Sequence, residues 1–160
     1  MKVKELMNES VKSCSTFTTL NSAAGIMWDN DCGCVPVVDN EGHVVGMITD
    51  RDISMAAYTQ GVALTASLVT SAMSKQVFSC RADDDITTAE KIMRDKQVRR
   101  LPVVDANNRL VGIISLNDIA REAEREQASR ATRQVTDSEI ARVMEAVCAP
   151  HHRVVAAQSL

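Results

Sequence analysis

Aromatic side chains are scarce: Phe17, Trp28, Tyr58 and Phe78 are the only four in 160 residues, too few for a platform on which nucleic-acid bases could stack. Positive charge is not in excess either. With a net charge of −3 and a pI near 5.6, the chain has no general attraction for a polyanion, so nucleic-acid binding is set aside. No apolar run approaches the roughly 20 residues that a membrane span needs, and none of signal-peptide length follows Met1-Lys2-Val3-Lys4-Glu5. The cysteines number five, an odd count, and therefore read as thiols of a reducing cytoplasm rather than as a disulfide framework. No Walker loop, His-Glu-x-x-His pair or Ser-His-Asp elbow occurs, so catalysis is not expected. What remains is 45 % hydrophobic and 24 % charged, the balance of a soluble globular chain able to bury about two-thirds of its unfolded surface.

Its organisation is a repeat. At an offset of 66, Val3 to Ile53 aligns with Val69 to Ile119 without a gap, and 18 of the 51 pairs are identical where ordinary residue usage gives about three. The matches include Cys14 with Cys80, Pro36-Val37-Val38-Asp39 with Pro102-Val103-Val104-Asp105, and Gly46 with Gly112. Units this small cannot each bury an apolar face, which predicts a pair related by a pseudo-twofold axis.

Within the first unit, Leu20, Ala23, Ala24, Met27 and Trp28 fall on one stripe of a helix, kept more loosely as Ile86, Ala89, Ile92 and Met93 in the second. Val35 to Val38 and Val44 to Thr49 are β-branched runs joined by a turn at Asp39 to Gly42; Leu101 to Val104 and Leu110 to Ser115 repeat them around Asp105 to Asn108. Gly42 and Asn108 occupy the same repeat position, one that suits positive φ. A second helix follows each hairpin, from Asp50 to Gln60 with Gly61 as its stop, and from Asn117 through Glu126. Each unit thus reads β-α-β-β-α, over residues 3–61 and 69–126. In the extension, 127–160, Thr136 and Glu139 form a capping box for a helix over about 137–148, with Ile140, Val143, Met144 and Val147 as its stripe, Pro150 as its stop and a loose tail beyond. That helix either covers its own module or helps to form a dimer face.

Two junctions carry the chemistry. Thr49 and Asp52, and their equivalents Ser115 and Asp118, place a hydroxyl three residues before a carboxylate where a strand enters a helix. As capping boxes they are fully explained, at about 1 kcal/mol each. As a site they also make sense, because a helix N-terminus favours phosphate and a carboxylate accepts both hydroxyls of a ribose.

The ordered set of Pro-Val-Val-Asp strands, Val45-Gly46 and Val111-Gly112, and closing Gly-x-x-Thr/Ser-x-x-Asp segments resembles the paired CBS domain, the Bateman module named for cystathionine β-synthase. The resemblance implies an α/β fold of α+β type, with two pseudo-twofold-related units packed through their sheets, commonly as a homodimer. It further implies two clefts for an adenosine-containing ligand (AMP, ADP, ATP, NAD or S-adenosylmethionine) and a regulatory effect on an unidentified partner. Asp52 and Asp118 match the ribose carboxylates, Thr49 and Ser115 the nearby hydroxyls, and Met47 and Ile113 the apolar lining. The adenine positions correspond to Cys14, Cys32, Cys34 and Pro36 in one cleft and to Cys80, Val98, Arg100 and Pro102 in the other.

The copies differ in charge. Arg51 stands where the second has Asn117, whereas Arg99-Arg100 stand where the first has Gly33-Cys34. Phosphate needs such donors, so at least one cleft is expected to take a phosphorylated ligand, and the two are expected to differ in affinity. Two alternatives remain open: an interaction module with vestigial clefts, and a thiol or metal sensor built on Cys32 and Cys34 or on Cys148, His151 and His152. The spacing of the latter set is wrong for a zinc knuckle, and no metal is assigned.

Overall fold

In the computed structural model, which describes residues 1–61, 63–129 and 135–149, each repeat folds in the predicted order. The first comprises β1 (Cys14–Ser15), α1 (Leu20–Asp29), β2 (Cys34–Val38), β3 (Val44–Thr49) and α2 (Asp50–Gln60). The second comprises β4 (Cys80–Arg81), α3 (Ile86–Lys96), β5 (Arg100–Val104), β6 (Leu110–Ser115) and α4 (Leu116–Ser129), and α5 (Asp137–Cys148) follows. Two three-stranded sheets result, β1-β2-β3 and β4-β5-β6. In each the opening strand runs parallel to the middle one and the hairpin is antiparallel.

Caps and turns set the bounds of these elements. Thr19 Oγ1 accepts from the Ser22 amide at 3.1 Å to open α1, and Gly61, at φ +62°, ends α2. In the hairpin turns, Asp39 Oδ1 accepts from the amides of Glu41 and His43, and Asp105 Oδ1 accepts from those of Asn107 and Arg109. Gly42 and Asn108 close the turns at φ +87° and +59°. Leu20, Ala23 and Met27 of α1 are buried, as are Ile86, Ala89 and Met93 of α3.

Trp28 departs from its assigned stripe and is 88 % exposed. Its face of α1 borders an open groove of about 420 Å³ formed with Ala24, Met27, Ile53 and Ser54. In the second repeat the corresponding positions of α3, among them Glu90 and Arg94, lie beside α5. That helix packs on α3 and α4, burying Val143 and Val147. It therefore covers its own module. Met144 drops out of the stripe at 49 % exposure, because the buried edge runs through Val143 and Val147, four residues apart. Pro150 and the tail lie outside the described residues.

The two repeats are joined by an exchange of their opening segments. Val3 is fully buried in the core of the second repeat, with Ile86, Met93, Leu101 and Ile114; its equivalent Val69 is fully buried in the core of the first, with Leu20, Val37 and Ile48. Asn8 pairs with Ile113 of β6 through amide-to-carbonyl bonds of 2.8 and 3.0 Å, and Ser74 pairs likewise with Met47 of β3 at 2.9 and 3.0 Å. Both crossings pass over a glycine. A Cβ at Gly46 would stand 2.5 Å from Met73 Sδ and 3.1 Å from the Ser74 carbonyl, and one at Gly112 would stand 2.9 Å from Met7 Sδ and 3.0 Å from the Asn8 carbonyl. Those glycines are conditions of the exchange. Among the described residues no helix is long and apolar enough to cross a membrane.

Candidate functional site

The exchange decides what faces each junction. Thr49 and Asp52, at the start of α2, open onto a cavity of about 460 Å³ whose other walls come mainly from the second repeat: Ser74 and Phe78 of its opening segment, Gln97 to Arg99 before β5 with Arg100 at its start, and Val147 of α5. Ser115 and Asp118, at the start of α4, open onto a cavity of about 420 Å³ walled by Asn8 to Lys12, by Asn30 to Cys32, and by Cys34 and Arg100. Each cleft thus combines the closing junction of one repeat with the opening of the other.

Both junctions are closed capping boxes. The Thr49 amide and hydroxyl donate to Asp52 Oδ2 at 3.0 and 2.7 Å, and the Asp52 amide donates back to Thr49 Oγ1 at 3.1 Å. The Ser115 amide and hydroxyl donate to Asp118 Oδ2 at 2.8 and 2.6 Å, and the Asp118 amide returns a bond of 3.3 Å. The second carboxylate oxygens differ. Asp118 Oδ1 accepts from Arg121 at 2.8 Å, whereas Asp52 Oδ1 has no hydrogen bond among the described residues. The capping role therefore leaves one acceptor of Asp52 open for a ligand hydroxyl and occupies that of Asp118 with a guanidinium.

The two cavities carry the same number of charged groups, three cations and two carboxylates each, and differ in which of them are paired. Arg51, Arg99 and Arg100 all line the Asp52 cavity, although the sequence puts them in different repeats. Among the described residues none of the three is in a salt bridge. Arg100 also borders the Asp118 cavity, beside Lys12 and Arg121. Met47 lines the Asp52 cavity and Ile113 the other, and Val98, grouped with Cys80, Arg100 and Pro102 in the sequence, lines the Asp52 cavity.

The remaining candidates separate. Cys34 lies between the clefts and lines both, while Cys32 lines the Asp118 cavity. Cys14 and Cys80, at 6 % and 3 % exposure, belong to the two cores, and Pro36 and Pro102 are buried in β2 and β5; none of the four lines either cavity. By alternation Pro36 shares a strand face with Cys34, and Pro102 shares one with Arg100, although neither proline is in a cavity wall. Burial pushes the Cys34 thiol up to about 11, with Arg100 opposing, and the Cys80 thiol up to about 12, so both stay protonated and unreactive near neutral pH. Among the described residues no three His, Cys, Asp or Glu side chains gather to hold a metal; His151 and His152 lie outside them.

A family model for the CBS domain matches residues 3–58 and again residues 69–125. The chain belongs to the CBS-domain family. It is 38 % identical over 118 residues to the CBS domain-containing protein YhcV of Bacillus subtilis, covering 74 % of this chain and 82 % of YhcV. It is 33 % identical over 150 residues to inosine-5′-monophosphate dehydrogenase of Methanocaldococcus jannaschii, where it covers 94 % of this chain but only 28 % of the enzyme. Among solved structures, the CBS domain pair of protein MJ0100, in complex with 5′-methylthioadenosine and S-adenosyl-L-methionine, superposes with a TM-score of 0.72 at 25 % identity, covering 79 % of this chain and 98 % of that one. The two repeats are therefore the halves of a CBS pair. Of the residues that the sequence did not single out for a cleft, Ser74, Gln76, Phe78, Asn8 and Lys12 belong to the exchanged opening segments, Val147 to α5, Gln97 to the end of α3 and Arg121 to α4.

Proposed function

We propose that this CBS pair is a regulatory module that binds an adenosine-containing ligand, with the Asp52 cleft as the principal site and the Asp118 cleft as a weaker one. The observation that carries the reading is the convergence on one cavity of a helix N-terminus, a carboxylate oxygen and three arginines, the oxygen without a hydrogen bond and the arginines without a salt bridge among the described residues. A ribose hydroxyl donates to Asp52 Oδ1, a phosphate or carboxylate is held by Arg51 and Arg99, and Met47 and Val98 flank the base. The ligands in the MJ0100 complex, both adenosine derivatives, support that class, and AMP, ADP, ATP, NAD and S-adenosylmethionine are the members to try. Arginine asymmetry favours those bearing an anion near the ribose. The module acts as a cytoplasmic sensor without catalysis of its own, passing occupancy to a partner protein.

The open groove of the first repeat favours a homodimer as the working unit. Trp28 and Tyr58 stand 88 % and 83 % exposed on the helices whose counterparts α5 covers, and a twofold contact between two such faces would remove them from water.

Calorimetric titration of AMP into wild-type, Asp52→Asn and Asp118→Asn proteins tests the reading. Loss of affinity with retained folding in the Asp52 variant supports a site. Unfolding without any change in affinity assigns both carboxylates to capping alone.

A further inference from the structure

The C-terminal end of α5 reaches only one of the two clefts. Val147 forms part of the Asp52 cavity wall. Gln97, the positive-φ residue that ends α3, donates from Nε2 to the Ala146 carbonyl at 2.9 Å, and Arg99 lies 3.8 Å from Cys148 Sγ. The segment from Gln97 to Arg100 thus serves α5 on one side and the cleft on the other. At its opposite end α5 is seated less well. Glu90 of α3 is 6 % exposed, its Oε1 has no hydrogen-bond partner among the described residues, and it borders a cavity of about 240 Å³ between the two helices. The charged groups around that cavity are Lys91 and Arg94 of α3 with Glu139 and Arg142 of α5.

We propose that α5 is a movable wall of the Asp52 cleft, so that filling this cleft and docking the helix stabilise each other. The inference rests on the nucleotide reading of that cleft. A ligand that meets Val147 and Arg99 binds the docked form better than the undocked one, and reciprocity requires that whatever weakens docking weakens binding. Glu90 sets the poise. Burial and the Glu139 carboxylate raise its pKa from 4.5 to about 7, against Arg94. Docking is therefore strongest where Glu90 is protonated and weakens as pH rises through about 7. Occupancy of the cleft becomes legible on the surface as the position of one amphipathic helix.

The test follows hydrogen exchange of the α5 amides by mass spectrometry, on the full chain, beside calorimetric titration with AMP and, as second probe, S-adenosylmethionine. Saturating AMP is expected to slow α5 exchange by about five- to tenfold. Val143→Ala, in the helix seat and outside the cleft, is expected to speed that exchange and weaken AMP affinity by a similar factor. Glu90→Gln is expected to do the reverse, with an effect that grows from about pH 6 to about pH 8 as the native carboxyl ionises; it carries the test if Val143→Ala fails to fold. If AMP binds but leaves α5 exchange unchanged, or if Val143→Ala loosens the helix without moving affinity, the coupling is overturned and the nucleotide reading stands. If neither probe gives a binding isotherm, the nucleotide reading itself falls and takes the coupling with it.

Discussion

The Asp52 and Asp118 clefts occupy equivalent places in a duplicated chain, yet they present different surfaces to a ligand. One is lined by Arg51, Arg99 and Arg100 together with Asp52, whose Oδ1 has no hydrogen bond among the described residues; the other has its carboxylate bridged by Arg121 at 2.8 Å. The difference arises from the exchange of opening segments together with a handful of substitutions. Because a cleft borrows one wall from each repeat, Arg51 of one copy and Arg99-Arg100 of the other accumulate in the same place. Duplication supplies two frames, and divergence at three positions lines one of them with three arginines that make no salt bridge among the described residues, where the other has Lys12, Arg100 and an Arg121 bound to its own carboxylate.

The exchange itself is the first thing to break. Ile48 and Ile114 are equivalent and fully buried in separate cores, so Ile48→Ala and Ile114→Ala should each cost about 2–5 kcal/mol. Since Val3 and Val69 stitch each core to the other repeat, both variants should still unfold in a single calorimetric transition; two resolved transitions would show the halves to be independent. A smaller effect is expected at the cleft. Arg99→Ala removes a charge-assisted donor from the Asp52 site and should weaken AMP by roughly tenfold, about 1.5 kcal/mol, whereas Lys12→Ala at the other cleft should change the dominant isotherm by less than about twofold.

The helix faces offer a finer comparison. Trp28→Glu on the uncovered face should alter protomer stability by no more than about 0.5 kcal/mol while shifting the sedimentation profile from dimer to monomer; an unchanged profile would remove that face from the assembly. The smallest effect belongs to the hairpin turns. Backbone amides, those of His43 and Arg109 foremost, hold the carboxyls of Asp39 and Asp105 below the usual range. Their contribution to stability is thus present above the ordinary carboxylate pKa and lost as pH falls through the lowered one. Asp39→Asn and Asp105→Asn should each flatten the acid limb of the melting temperature against pH by a similar amount, and unequal flattening would show that the His43 ring adds to the first turn.

Much of the fold was legible from residue types and spacing, because each repeat is specified locally: Gly61 stops a helix, Asp39 and Asp105 make turns, and the Val-rich runs pair within a hairpin. The partnership of Asn8 with β6 and of Ser74 with β3 was not legible. Strand pairing across repeats depends on which edge is free in the assembled fold, and equal spacing in the two copies is compatible with either partner. For the same reason the sequence divided the arginines between halves, while the structure unites them. Trp28 was read as core from its helical position, but apolar spacing cannot tell whether a second layer covers the stripe. Thr49, Asp52, Ser115 and Asp118 were recognisable from the junction chemistry itself; Val147 and Gln97 carry no signature and enter the site through the packing of α5.

The inequality of the two clefts is tested most directly by calorimetric titration of AMP into Asp52→Asn and Asp118→Asn side by side, on protein freed of co-purified nucleotide. The account predicts one dominant site, weakened by more than about tenfold, or 1.4 kcal/mol, in Asp52→Asn and left nearly intact in Asp118→Asn. Equal losses in both variants, or a loss confined to Asp118→Asn, would contradict it.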